Sequence, residues 1–282
     1  MQIKSPEWLS EWMGGEGPAE ESPAEDPPLE DLPSKPPLQE EAPPEGFLTE
    51  GDSTEGLPDE TPDGGSWQEE VKEEEPFKAD TTYFDDALFI GDSRTVGLAE
   101  YGNLGQAEVL ADSGMSVYKV MKTEFTTGSG SKLRLTDLLE EREFGKIYIM
   151  LGINELGYDF DQTVKKYGQM LTDIRSLQPH ALIYLQANLH ITSEKSETST
   201  YYNNDNINRF NRAVEETADG KEVFYLDVNG LFDDETGGLD EQYTSDHTHI
   251  LGKHYLSWVD WLLSQAVRPP ERSGDAGHER ID

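Results

Sequence analysis

The stretch "ALFIGDSRTVGL" (Ala87–Leu98) decides how the chain folds. Its first residues are an apolar run that stops at Gly91, which suits a short buried strand. Asp92 and Ser93 follow at once, and both are residue types that cap helices. "SRTVGLAEYG" then reads as a helix with Ser93 near its amino end. A strand passing directly into a helix opens a parallel crossover. Two readings of Ser93 stay open on this stretch alone. It is an ordinary cap residue, or it is a nucleophile delivered to the rim of a sheet, where free amide hydrogens favour negative charge.

Further along, the same texture repeats. "AEVLAD" (107–112), "KIYIMLG" (146–152), "ALIYLQAN" (181–188) and "KEVFYLDV" (221–228) read as strands. Between them, "FDQTVKKYGQMLTDIRSLQP" sets Val164, Tyr167, Leu171, Ile174 and Leu177 on one helical face. "NINRFNRAVEETADG" groups Ile207, Phe210 and Val214 and is expected to stop at its glycine. "LGKHYLSWVDWLLSQAV" gives a last helix with Leu256, Val259, Leu262 and Leu263 inward. Strands alternating with helices predict an α/β fold: a three-layer α/β/α sandwich around a mostly parallel five-stranded sheet. Ligands of such sheets bind outside the carboxyl ends of the strands.

Composition divides the chain. Of 58 acidic and 22 basic side chains, 24 and 4 fall in residues 1–80, together with 13 of the 16 prolines. This composition predicts a disordered acidic Pro/Glu-rich spacer over 1–80. A globular domain is expected over 81–267 and a flexible tail over 268–282. The net charge of -36, with no Lys/Arg stripe, argues against a nucleic-acid partner and against an anionic membrane surface. With no cysteine, disulfides and Cys-based zinc sites are excluded. No run approaches the roughly 18 apolar residues that span a bilayer. The start, "MQIKSPEWLSEW", lacks the features of a signal peptide, so an export signal is expected to lie outside this sequence.

Four places can carry chemistry, and all fall at strand ends or in loops. Ser93 follows the first strand. "LADSGMSV" closes the second, with Gly114 permitting close backbone approach. "IMLGINELG" ends the third with Asn154, a side-chain amide able to stabilise an oxyanion. "YTSDHTHILG" (243–252) places Asp246 and His249 three apart, as a general base and the group that holds its tautomer. His247 is expected to point away from them, and His254 to lie inside the last helix. His180 and His190 show no metal-ligand spacing, so no metal is expected. Taken singly, each place is equally an ordinary turn or cap.

Together, "FIGDSRTVGL", "DSGMSV", "LGINELG" and "SDHTHI" resemble, in order and spacing, the blocks of the SGNH/GDSL hydrolase family. The resemblance spans about residues 84–266 and implies the flavodoxin-like SGNH hydrolase fold. It departs from the family pattern at Arg94, where leucine is usual, and at the His-Thr pair between Asp246 and His249. The resemblance implies Ser93 as nucleophile, His249 as proton carrier and Asp246 as its orienting group. It further implies an oxyanion hole from the Ser93 and Gly114 amides and the Asn154 side chain, with no cofactor. Arg94 is expected at the substrate rim. No Gly-x-Ser-x-Gly elbow, P-loop or dinucleotide fingerprint is present.

The polar stretch 188–206 is expected to rim the site, and its Ser, Thr, Asn and Tyr content suits a hydroxylated substrate. The expected function is a serine esterase acting on small acyl groups, acetyl first, of carbohydrate or cell-envelope substrates. An O-acyltransferase with the same triad, and a non-catalytic binding or surface module, are the alternatives. The spacer composition suggests an extracellular or surface-tethered protein. Oligomeric state is not legible.

Overall fold

The computed structural model describes residues 79–127, 130 and 132–268 of the protein. The spacer expected over 1–80 and the tail expected over 268–282 therefore lie, but for Ala79, Asp80 and Arg268, outside the described residues.

Among the described residues seven strands form: β1 (Ala87–Gly91), β2 (Glu108–Ala111), β3 (Glu124–Thr126), β4 (Lys132–Arg134), β5 (Lys146–Met150), β6 (Leu182–Gln186) and β7 (Val223–Leu226). Five of them make one sheet in the order β2-β1-β5-β6-β7, every pair parallel. The sheet expected to be mostly parallel is wholly so. β3 and β4 form a separate antiparallel hairpin that sequence reading missed. Each has three residues and Phe125 is the one fully buried among them, too little for a periodic signal. The chain runs from β1 to β2 on one side and returns to β5 on the other. The switch point, where parallel sheets open a crevice, therefore lies at the carboxyl end of β1.

β1, β5 and β6 are buried at every position, which is why they read as unbroken apolar runs. Successive side chains still alternate between two cores. Leu88, Ile90, Ile147, Ile149, Ile183, Leu185 and Val223 face one side. There they meet α2 (Leu135–Glu141), α3 (Phe160–Leu177) and α5 (Asn204–Glu215). Phe89, Tyr148, Met150, Leu182, Tyr184 and Leu226 face the other, against α1 (Ser93–Tyr101) and α6 (Tyr255–Ser264). This makes three layers. On the second face, paired strand positions stack four rings. Phe89 lies 4.4 Å from Tyr148, Tyr148 lies 4.6 Å from Tyr184, and Tyr184 lies 5.5 Å from Phe224.

The helix faces follow the predicted stripes with two corrections. Ile207, Phe210 and Val214 are buried in α5 as expected, but the helix ends at Glu215. Gly220, at φ +66°, instead makes the turn into β7. In α6, Val259, Leu262 and Leu263 are buried, while Leu256 is 54% exposed. Tyr255 and Trp258 occupy the stripe four residues before Val259 and Leu262, and Leu256 sits one residue off it, rotated by about 100°. Truncating the fully buried Trp258 to alanine is expected to cost about 3–5 kcal/mol. α1 and α6 approach so closely that a Cβ on Gly97 would stand 2.1 Å from the Tyr255 hydroxyl. No helix among the described residues is long and apolar enough to cross a membrane.

Candidate active site

Ser93 is the first residue of α1, directly past the carboxyl end of β1. Asp92 caps that helix by accepting the Arg94 amide at 3.1 Å. The approach to it demands glycine, because a Cβ on Gly91 would lie 2.0 Å from Thr95 Oγ1 and 2.9 Å from the Met150 carbonyl. Ser93 Oγ and His249 Nε2 are 2.8 Å apart. His249 Nδ1 and Asp246 Oδ2 are 2.7 Å apart. With the Nδ1 proton directed at the carboxylate, Nε2 is free to accept the serine hydroxyl.

The 244–250 loop builds its own geometry. An antiparallel bridge between Thr244 and Ile250 closes it, and Ile250 is fully buried. Asp246 Oδ1 accepts the amides of Thr248 at 2.9 Å and His249 at 2.8 Å. Burial opposes ionisation of Asp246, but the His249 ring and these amides outweigh it and hold the carboxyl well below its ordinary range. The His249 and Asp246 side chains remain about one-third exposed, open to a substrate.

The donors expected to face an oxyanion are placed as follows. The Ser93 amide is at a helix start, where no intrahelical acceptor exists. Gly114, at φ +74°, sits in a turn closed by the Met115 amide on the Asp112 carbonyl at 3.0 Å. Among the described residues neither amide has an acceptor. Asn154 lies in a short turn after β5, and its Nδ2 donates to the Met115 carbonyl at 2.9 Å, leaving one amide hydrogen free. β2 and β5 flank β1, so these residues sit at the ends of three neighbouring strands.

Arg94 does not stand at the rim. It is 1% exposed and turned inward. Its guanidinium forks onto Asp92, with Nε at 2.8 Å from Oδ1 and Nη2 on Oδ2, and Nη2 also reaches Asn188 Oδ1 at 2.8 Å. Asn188 exchanges hydrogen bonds with Asn211 at 2.8–3.0 Å, and its carbonyl also accepts Asn229 Nδ2 at 3.1 Å. Asp92 is fully buried, and a bidentate cation is what a buried carboxylate requires. This polar core under Ser93 was missed in the sequence. Its signal was Asn211, a polar residue on the apolar stripe of α5.

Two other histidines, His247 and His254, flank His249 in the chain. His254 caps α6 rather than lying inside it. His247 turns away, at φ +66°, with Nδ1 3.2 Å from Thr192 Oγ1. The backbone of Thr192 also donates to the His247 carbonyl at 3.0 Å, which brings the 188–206 stretch against the loop. Glu194, Glu241 and His247 bring possible metal-ligand atoms within 4.8 Å of one another, with both glutamates exposed. A cleft of about 400 Å³ opens one residue beyond Asn154, lined by Glu155, Tyr158, Phe160, Tyr201, Asn206 and Arg209.

A family model described as the GDSL-like lipase/acylhydrolase family matches residues 89–253. Solved structures match as well. A protein described as a platelet activating factor from Streptococcus pneumonia is 18% identical over 65% of this chain and 90% of its own, with a TM-score of 0.50. A GDSL-like lipase from Bacteroides thetaiotaomicron is 17% identical over 64% and 85%, with a TM-score of 0.47. The acetyl xylan esterase AlAXEase is 17% identical over 64% and 99%, at 0.47. No curated protein matches the chain. The chain belongs to the GDSL-like lipase/acylhydrolase family, and it is a carboxylic ester hydrolase.

Proposed function

We propose that this member of the GDSL-like lipase/acylhydrolase family is a serine esterase that removes small acyl groups, acetyl first, from carbohydrate or cell-envelope substrates. The observation that carries the reading is the hydrogen-bonded series Ser93–His249–Asp246. Ser93 Oγ attacks the ester carbonyl while His249 Nε2 takes its proton. Asp246 holds the ring and stabilises the imidazolium. The carbonyl oxygen gains negative charge and is met by the amides of Ser93 and Gly114 and by Nδ2 of Asn154. His249 then gives its proton to the leaving alcohol. Water, deprotonated by His249, releases the acid and restores Ser93.

The acyl preference rests on the surroundings. The cleft beside Asn154 is lined by Tyr158, Tyr201, Asn206 and Arg209 together with Phe160 and Phe210, a mixed polar and aromatic wall that suits a sugar better than a lipid tail. The same reading takes residues 1–80 as a spacer, 81–267 as the hydrolase domain and 268–282 as a tail, in an extracellular or surface-tethered enzyme. Composition alone supports that part.

Wild type and Ser93→Ala are to be compared on 4-nitrophenyl acetate, a long-chain ester, acetylated xylan and acetylated peptidoglycan. The serine variant should lose on the order of 10⁴- to 10⁶-fold in kcat. Activity surviving Ser93→Ala overturns the mechanism. Faster turnover of the long-chain ester overturns the acyl preference. Product formed only with an acceptor sugar redirects the reading to acyl transfer.

A further inference from the structure

Two consecutive residues after β5 grip the segment that follows β2. Asn154 Nδ2 donates to the Met115 carbonyl at 2.9 Å. Glu155 Oε1 accepts the Val117 amide at 2.5 Å. Between them they hold residues 115–117, which continue directly from Gly114. Nothing in the proposed chemistry uses Glu155. Its side chain is nonetheless buried, at 2% exposure, and among the described residues its second oxygen has no hydrogen-bond partner. Leaving a carboxylate oxygen buried and unpaired is costly, and a neutral side chain would avoid the cost. A group kept at such expense beside two expected oxyanion donors calls for a function.

We propose that Glu155 is a positioning residue: its carboxylate fixes the 112–117 segment so that the Gly114 amide and the Asn154 side chain stay aimed at one point. The inference rests on the serine-esterase reading. Oxyanion donors act only when they are fixed before charge develops, and two separate loops carry these two. The side chains of Met115 and Val117 pack in the core, and Asn154 ties the backbone at Met115. Glu155 ties it again two residues on, so both ends of 115–117 are held by the residues that follow β5. The charged and titratable groups facing Glu155 are Asp92 from the end of β1, Arg94 from α1, Lys119 beyond Val117, and Tyr167 from α3. Burial raises its carboxyl to about 7, and Asp92 adds to this. The Val117 amide, Arg94 and Lys119 act against it. The carboxylate is thus fully ionised only above neutral pH, and its bond to Val117 is strongest there.

The test uses 4-nitrophenyl acetate turnover and a boronic acid as a tetrahedral analogue. Glu155→Ala should lower kcat by about tenfold to a hundredfold, leave KM within about twofold, and weaken the boronate in parallel. Glu155→Gln, which keeps an acceptor for Val117, should restore most of kcat. The wild-type to Glu155→Gln ratio of kcat cancels every pH effect common to both. That ratio should rise severalfold between pH 5.5 and 9. It also decides the matter if the alanine variant does not fold. Unchanged kcat in Glu155→Ala, a loss confined to KM, or a flat ratio overturns the inference. Ser93→Ala serves as the control. If it is inactive while Glu155→Ala is unimpaired, positioning by Glu155 fails and the esterase reading stands. If it retains activity, the reading itself has failed.

Discussion

Among the described residues two histidine–aspartate pairs share a similar short contact but have unlike surroundings. His249 Nδ1 stands 2.7 Å from Asp246, and His190 Nδ1 stands 2.9 Å from Asp233. On the far nitrogen they differ. His249 Nε2 meets the Ser93 hydroxyl at 2.8 Å, whereas His190 Nε2 meets Asn208 Oδ1 at 2.9 Å. The first pair is about one-third exposed and the second is largely buried, with the His190 amide also tied to Asn229 at 2.8 Å. Burial lowers the His190 basicity, but Asp233 and Asn208 outweigh it and raise its pKa above the ordinary value. Acceptors on both nitrogens favour the protonated ring and make it a pin between the loops after β6 and β7. A histidine beside a carboxylate is therefore no relay by itself. What sits on Nε2, and which donors converge there, separates chemistry from architecture.

Substitutions at matched positions should separate the two pairs. Asp246→Asn has the largest expected effect, a loss of about 10⁴-fold in kcat together with a lower melting temperature at neutral pH, because the fold stabilises the ionised carboxylate. A loss under tenfold would make the His249 pair as inert as the His190 pair. Asn154→Ala should cost about 10²- to 10³-fold in kcat at near-constant KM, because the donor acts on the transition state. Asp233→Asn should leave kcat within about twofold and lower stability by about 1.5–3 kcal/mol, read as a lower Tm.

That third effect carries a pH signature. A folded pKa raised above the unfolded value of about 6.5 gives stabilisation that is complete below that value. It is lost as pH rises through the folded pKa. The Tm gap between wild type and Asp233→Asn should thus be widest at pH 6 and narrow by pH 9. The smallest effect is expected from Asn208→Ser in a Ser93→Ala background. It puts a hydroxyl beside the His190 pair and should restore no ester hydrolysis, since the expected oxyanion donors follow β1, β2 and β5 and the His190 pair joins the loops after β6 and β7.

The sheet was legible because its central strands are buried on both faces and cannot hide in a polar pattern. Ser93, Asp246 and His249 were legible because their neighbours in the chain set their geometry: a strand end, a helix start and a three-residue turn. Arg94 was not, because adjacency to Ser93 says nothing about direction. One step along a helix turns a side chain by about 100°, and here that step leads from the crevice into the core. Asn188, Asn211 and Asn229 converge from two loops and a helix, a contact no local pattern encodes. Glu155 was missed for the same reason, since its partner Val117 lies 38 residues away.

Ser93 and His249 are separated by 156 residues of chain. On the proposed chemistry, the hydroxyl has no base until the 244–250 loop docks, and that loop follows every strand of the sheet in the chain. Closing so long a loop is among the slower steps of folding. Ester turnover during refolding is thus a clock for completion. It starts only when the last segment arrives, and a chain that stops short of that segment carries its serine in silence.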